Sequence, residues 1–181
     1  MTLARACVAL CVAVSTPVFG SDGKLELDPS KTSISWQAVG TPGFLKIDGK
    51  GGTAGGALVV AGGKVSGTVK GQLAKMTTGM GLRDKHMHEK YLETGKNPEA
   101  TLVLDGVDYA EGKPQAFCGQ LTLKAETFKV CGNYTYAPAD GKLEVTFKAS
   151  LANYPSVGVP SWAGVTVADT VDVRVDGVVK R

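Results

Sequence analysis

Both histidines of the chain, His86 and His88, fall in one polar stretch, Gly81-Leu82-Arg83-Asp84-Lys85-His86-Met87-His88-Glu89-Lys90-Tyr91. Three kinds of chemistry suit these residue types. In a structural role, Asp84 caps a helix or pairs with Arg83, and His86 is a hydrogen-bonded joint between that helix and its support. Alternatively, Arg83 and a histidine hold a phosphate or another polar headgroup, which the guanidinium fork fits. In the third arrangement, the histidines join Met76, Met80 and Met87 as imidazole and soft sulfur ligands for copper or zinc. His86-x-His88 followed by Glu93 has the spacing of half a cupin metal motif, but residues two apart share a face only on a strand. Arg83, Asp84, His86 and His88 are therefore the candidate headgroup or mouth residues, and no metal ligand is assigned.

Catalysis finds no such nucleus. No serine stands in a nucleophile elbow and no carboxylate pair has an interpretable spacing. The expectation is a protein that is not an enzyme and carries no cofactor.

The polar stretch needs a scaffold. Asp84 and Glu89 suit the early part of a helix, Met87 and Tyr91 lie four apart on one face, and Gly95 with Pro98 supplies a stop. On both sides of this short helix the pattern has period two. Ser33–Val39, Phe44–Gly49, Ala57–Ala61, Lys64–Leu73, Ala100–Tyr109, Gln115–Leu123, Phe128–Tyr136, Lys142–Ala152 and Val165–Asp176 read as strands, with the alternation of apolar and polar residues clearest in Ser33–Val39, Lys64–Leu73 and Lys142–Ala152. Gly40-Thr41-Pro42-Gly43 and Gly62-Gly63 read as turns, and a proline-rich loop runs from Tyr154 to Trp162. About eight two-faced strands are best accommodated by an all-β, closed antiparallel barrel, because closure removes the edges. Gly67, Gly71, Gly119 and Gly132 fall on inward faces, where they either leave a hollow or only let strands bend. Trp36, Val65, Val69, Leu73, Leu102, Leu121, Phe128, Tyr134 and Phe147 are the candidate lining of that hollow.

The ends and the composition add further expectations. Arg5, the apolar run Ala6–Val14 and Val18-Phe19-Gly20 predict a signal peptide over residues 1–20, removed on export, with one domain over 21–181. Cys118 and Cys131 then remain in an oxidising compartment and are expected to pair across a hairpin turning near Lys124 and Ala125. The charge is only +3, with no basic run, which points away from nucleic acid. An outer-membrane barrel is disfavoured by the charged outward faces and the absence of aromatic girdles.

Arg83-Asp84-Lys85-His86-Met87, Tyr91-Leu92-Glu93, Asn97-Pro98-Glu99-Ala100, Leu27-Asp28-Pro29 and Gly119-Gln120-Leu121-Thr122-Leu123 together resemble the YceI-like family, in the same order and over about Leu27 to Val175. The resemblance implies a lipocalin-like barrel that holds a polyisoprenoid or isoprenoid quinone type of ligand, in an exported bacterial protein that is often a homodimer. The chain departs from the family at Asn153–Gly158 and in its Cys118–Cys131 pair. The function expected is that of a periplasmic binding or carrier protein for an apolar lipid, with transient membrane contact. The alternative is a periplasmic copper or zinc binder using the histidine and methionine residues.

Overall fold

The computed structural model describes residues 22–181 apart from 42, 44, 163 and 164. The expected signal peptide, and Pro42 and Phe44 of the first expected turn and second expected strand, lie outside the described residues.

The strands are β1 (Gly23–Leu27), β2 (Ser33–Thr41), β3 (Leu45–Ala61), β4 (Lys64–Gln72), β5 (Glu99–Asp108), β6 (Gln115–Leu123), β7 (Glu126–Ala137), β8 (Lys142–Ser150), β9 (Ser161–Trp162) and β10 (Val165–Lys180). Strands β2 to β8 pair antiparallel in chain order, and β10 pairs with both β8 and β2, closing a ring of eight. The alternation explains the closure: in β8, Leu143, Val145, Phe147 and Ala149 point inward and Lys142, Glu144, Thr146 and Lys148 point outward. Opposite charges meet on that outer surface, as in Arg174–Glu144 at 2.7 Å and Lys148–Asp172 at 2.5 Å.

Two features differ from the sequence reading. Segments 45–49 and 57–61 are parts of one strand, β3, which runs through Gly51-Gly52-Thr53-Ala54-Gly55-Gly56. These glycines suggest a loop, but they mark close approach: a Cβ at Gly56 would lie 2.2 Å from the Thr68 carbonyl oxygen, and one at Gly52 2.7 Å from Met76 Cε. Strand β1 was not anticipated. It lies in line with β2 along the far part of β3, separated from β2 by the short 3₁₀ turn Pro29–Lys31. Asp28 caps that turn by accepting from Ser30 N–H, and it pairs with Lys180 of β10 at 2.8 Å.

Helix α1 (Gly81–His86) continues as one π turn, Met87–Tyr91. It ends earlier than Gly95 and Pro98 suggest, because Glu93 takes φ +46 and turns the chain away. The expected disulfide, Cys118–Cys131, joins directly opposed residues of β6 and β7 on the outer face.

The interior divides into two levels. At the end opposite α1, Leu58, Val60, Val107, Phe117 and Tyr136 are buried and Tyr109 packs on Tyr136 with ring centroids 6.2 Å apart. This end is filled. The end beneath α1 is not.

Candidate ligand-binding cavity

Beneath α1 the inward side chains leave an apolar cavity of about 410 Å³. The emptiness comes from size rather than from pattern. Ala38, Ala54, Ala100 and Ala149 occupy inward positions there, and β10 contributes a column of valines, Val167, Val171, Val173 and Val175. Gly71 also lines the space. Gly132 does not: a Cβ there would sit 2.7 Å from Phe147 Cβ, so this glycine admits a neighbour. Gly67 and Gly119 are likewise sites of close approach, and the hollow owes little to inward glycines. Trp36 lies flat against Gly49 of the paired strand, whose missing side chain makes room for the indole.

Polar side chains along this lining gather at the mouth: Thr78, Arg83, His86, Tyr91 and Ser161. The mouth is covered by α1 with its π turn and by the loop Leu151–Pro160, and a polar frame holds both. Asp84 accepts hydrogen bonds from the Thr77 and Thr78 hydroxyls at 2.5 and 2.6 Å and from Thr78 N–H at 2.7 Å. Burial works against ionisation of this carboxyl, but those bonds outweigh it and hold the group below its usual range. His88 Nε2 lies 2.8 Å from the Met76 carbonyl, to which it donates, and Nδ1 lies 3.0 Å from the Thr94 hydroxyl. Nε2 thus ties the helix to the segment that follows β4, and Nδ1 ties it to the turn at its own C-terminal end.

The nearly buried Lys124, in the β6–β7 turn, draws the cover together from the other side. Its Nζ donates to the Ser156 carbonyl at 2.6 Å and pairs with Glu93 at 2.6 Å. The Lys124 ammonium in turn keeps the Glu93 carboxyl below its ordinary value. Glu126 accepts from Ser156 N–H at 3.0 Å. Tyr154, wholly buried, donates its hydroxyl to the Leu121 carbonyl at 3.1 Å and meets Phe128 edge-on at 5.3 Å.

Of the nine residues expected to line a hollow, Trp36, Val69, Leu73, Leu102, Leu121 and Phe147 do so. Val65 packs in the filled end, and Tyr134 anchors that end by donating to the Asp108 carbonyl at 2.6 Å. Phe128 is turned against Tyr154 and is 37 % exposed. Of the four mouth candidates, Arg83 and His86 line the cavity, whereas Asp84 and His88 are structural. Asp84 bonds to Thr77 and Thr78 rather than to Arg83, and the joint expected of His86 is made by His88. The Arg83 guanidinium rests 2.8 Å from the Met80 sulfur. Met87 is buried beneath it and lines the cavity. Among the described residues, no three His, Cys, Asp or Glu side chains gather as a metal site.

The alanines and valines of the wall were not singled out in the sequence, although the alternation places Ala38, Ala149, Val171 and Val173 inward. Small inward residues clustered at one level were the signal available.

The comparisons with known proteins agree with this fold. The family model of the YceI-like domain matches residues 25–179. The chain belongs to the YceI-like family. Among solved structures, this YceI-like chain is similar to BcnA of Burkholderia cenocepacia, with a TM-score of 0.68 at 19% identity over 86% of this chain and 99% of that one. It is also similar to a polyisoprenoid-binding domain of Saccharophagus degradans implicated in plant cell wall breakdown, with a TM-score of 0.62 at 14% identity over 86% and 97%. At these identities the likeness is one of fold. No curated protein matches the chain in sequence.

Proposed function

We propose that the chain is an exported, periplasmic carrier that holds a long-chain apolar lipid of the polyisoprenoid or isoprenoid quinone type in the cavity beneath α1. The observation that carries this reading is the segregation of the lining: aliphatic and aromatic walls, with Arg83 and His86 among the few polar groups at the mouth. Membership of the YceI-like family, and the polyisoprenoid-binding domain among its structural neighbours, support the same ligand class. Each buried methylene contributes about 0.8 kcal/mol, so ten give an upper bound of about 8 kcal/mol before ordering costs. Hydrophobic lining is therefore sufficient for useful affinity. A headgroup would remain at the mouth, where Arg83 and His86 can donate hydrogen bonds to it.

No cofactor or catalytic step enters this reading. Met80 and Leu82 are each 54 % exposed and Val159 is 38 % exposed, all around the cover. Such a rim suits transient contact with a membrane during loading. The charged exterior of β8 and β10 suits a protein otherwise surrounded by water. A homodimer, as expected from the family, is checked by sedimentation equilibrium.

Native mass spectrometry of the protein isolated from its own cell envelope, followed by organic extraction, tests the proposal. An excess mass that leaves as an isoprenoid-type lipid supports it. An excess mass that leaves with a chelator would replace it by the metal-binding alternative.

A further inference from the structure

We infer that the filled end of the barrel is a chain-length stop, with Phe147 as its upper surface and Phe117 behind it, and that the cavity fully buries only about five isoprene units. The inference rests on the carrier reading above and gives its ligand a size.

The stop is built from one row of paired residues. Phe117 of β6 is opposed by Gly132 of β7, and Gly132 by Phe147 of β8. With no side chain between them, the two phenyl rings meet edge-on at 6.3 Å and 83°. Phe147 lines the cavity, whereas Phe117, 5 % exposed, does not, and neither does Tyr136, 3 % exposed, on the far side of the row. The row thus marks where open space gives way to packed side chains.

The reach of the lining along a strand gives the length. Along β3 the lining runs from Leu45 to Ala54, and at about 3.3 Å per residue with a strand tilt near 40° this is about 20–25 Å along the barrel axis. An extended chain advances about 1.2 Å per bond, which allows about 20 carbons in line, or about five isoprene units of four backbone carbons each. A longer isoprenoid must leave its remaining units at or beyond the mouth.

The test measures the affinity of the purified protein for all-trans prenols of two, three, four, five and nine isoprene units, by displacement of a fluorescent fatty acid. The expected result is a rise of at least about tenfold per unit up to the limit, followed by a plateau or a fall. The double variant Phe117→Leu/Phe147→Leu, which stays apolar, moves the plateau to longer prenols. Val175→Phe, placed at a lining position and opposite in sense, moves it to shorter ones. If affinity in the unaltered protein keeps rising to nine units, the stop is refuted while the carrier reading stands. A plateau that neither variant moves refutes the assignment to this row. Failure of every prenol to bind overturns the carrier reading and the stop with it.

Discussion

The two ends of the barrel share the same strands and the same alternation, yet one is packed solid and the other encloses about 410 Å³. The far end carries Leu58, Phe117, Tyr109 and Tyr136 at its inward positions, and the end beneath α1 carries Ala38, Ala54, Ala149 and the valines of β10. Alternation decides which side chains face inward. Their volumes, level by level, decide whether the interior is core or cavity. The packed end supports the closed barrel, and the open end is free to take a ligand.

Truncation should separate the ends most strongly. Phe117→Ala removes a ring from close packing and should cost about 3–5 kcal/mol in urea unfolding. Leu102→Ala, at a position already facing open space, should cost about half of that or less, and equal losses would contradict the division. Reduction of Cys118–Cys131, with a sequence separation of 13, should lower stability by about 3 kcal/mol and leave ligand affinity unchanged, since both residues face outward.

Enlargement reverses the comparison. Val60→Phe, at a 2 % exposed site in the packed end, should destabilise by about 1–3 kcal/mol or more. Val171→Phe projects into the cavity and should change stability by less than about 1 kcal/mol while weakening prenol binding at least tenfold. The smallest effect concerns the cover. Asp84→Asn weakens the bonds from Thr77 and Thr78 and should cost about 1 kcal/mol. Because the folded-state carboxyl lies below its ordinary value of 3.8, its contribution is complete above that value and is lost as the pH falls through the lower, folded-state value. Hydrogen exchange in 77–94 should accelerate over that acid range in the unaltered protein and not in the variant.

The barrel was legible in the sequence because period-two alternation in β4, β6, β7, β8 and β10 is hard to satisfy otherwise. The glycine run inside β3 concealed a continuous strand, since close approach between backbones leaves the same residue type as a turn does. Strand β1 has only Leu25 and Leu27 as inward residues, too few for a pattern. At the site, the histidines were legible as a group but not as individuals. His88 is committed through partners at Met76 and Thr94, and His86 faces the cavity, a distinction that depends on the π turn. Large residues were favoured as lining, but a wall around a void is made by the residues that fail to fill it.

The division is tested most directly by following the methyl resonances of the protein by NMR as a four-unit prenol is added. The account predicts large shifts and ligand contacts for Val69, Leu102, Leu121, Val171 and Val173, with Val60, Val65, Val107 and Val179 nearly unmoved. Contacts concentrated on the far-end methyls, or on outward-facing residues alone, would contradict it.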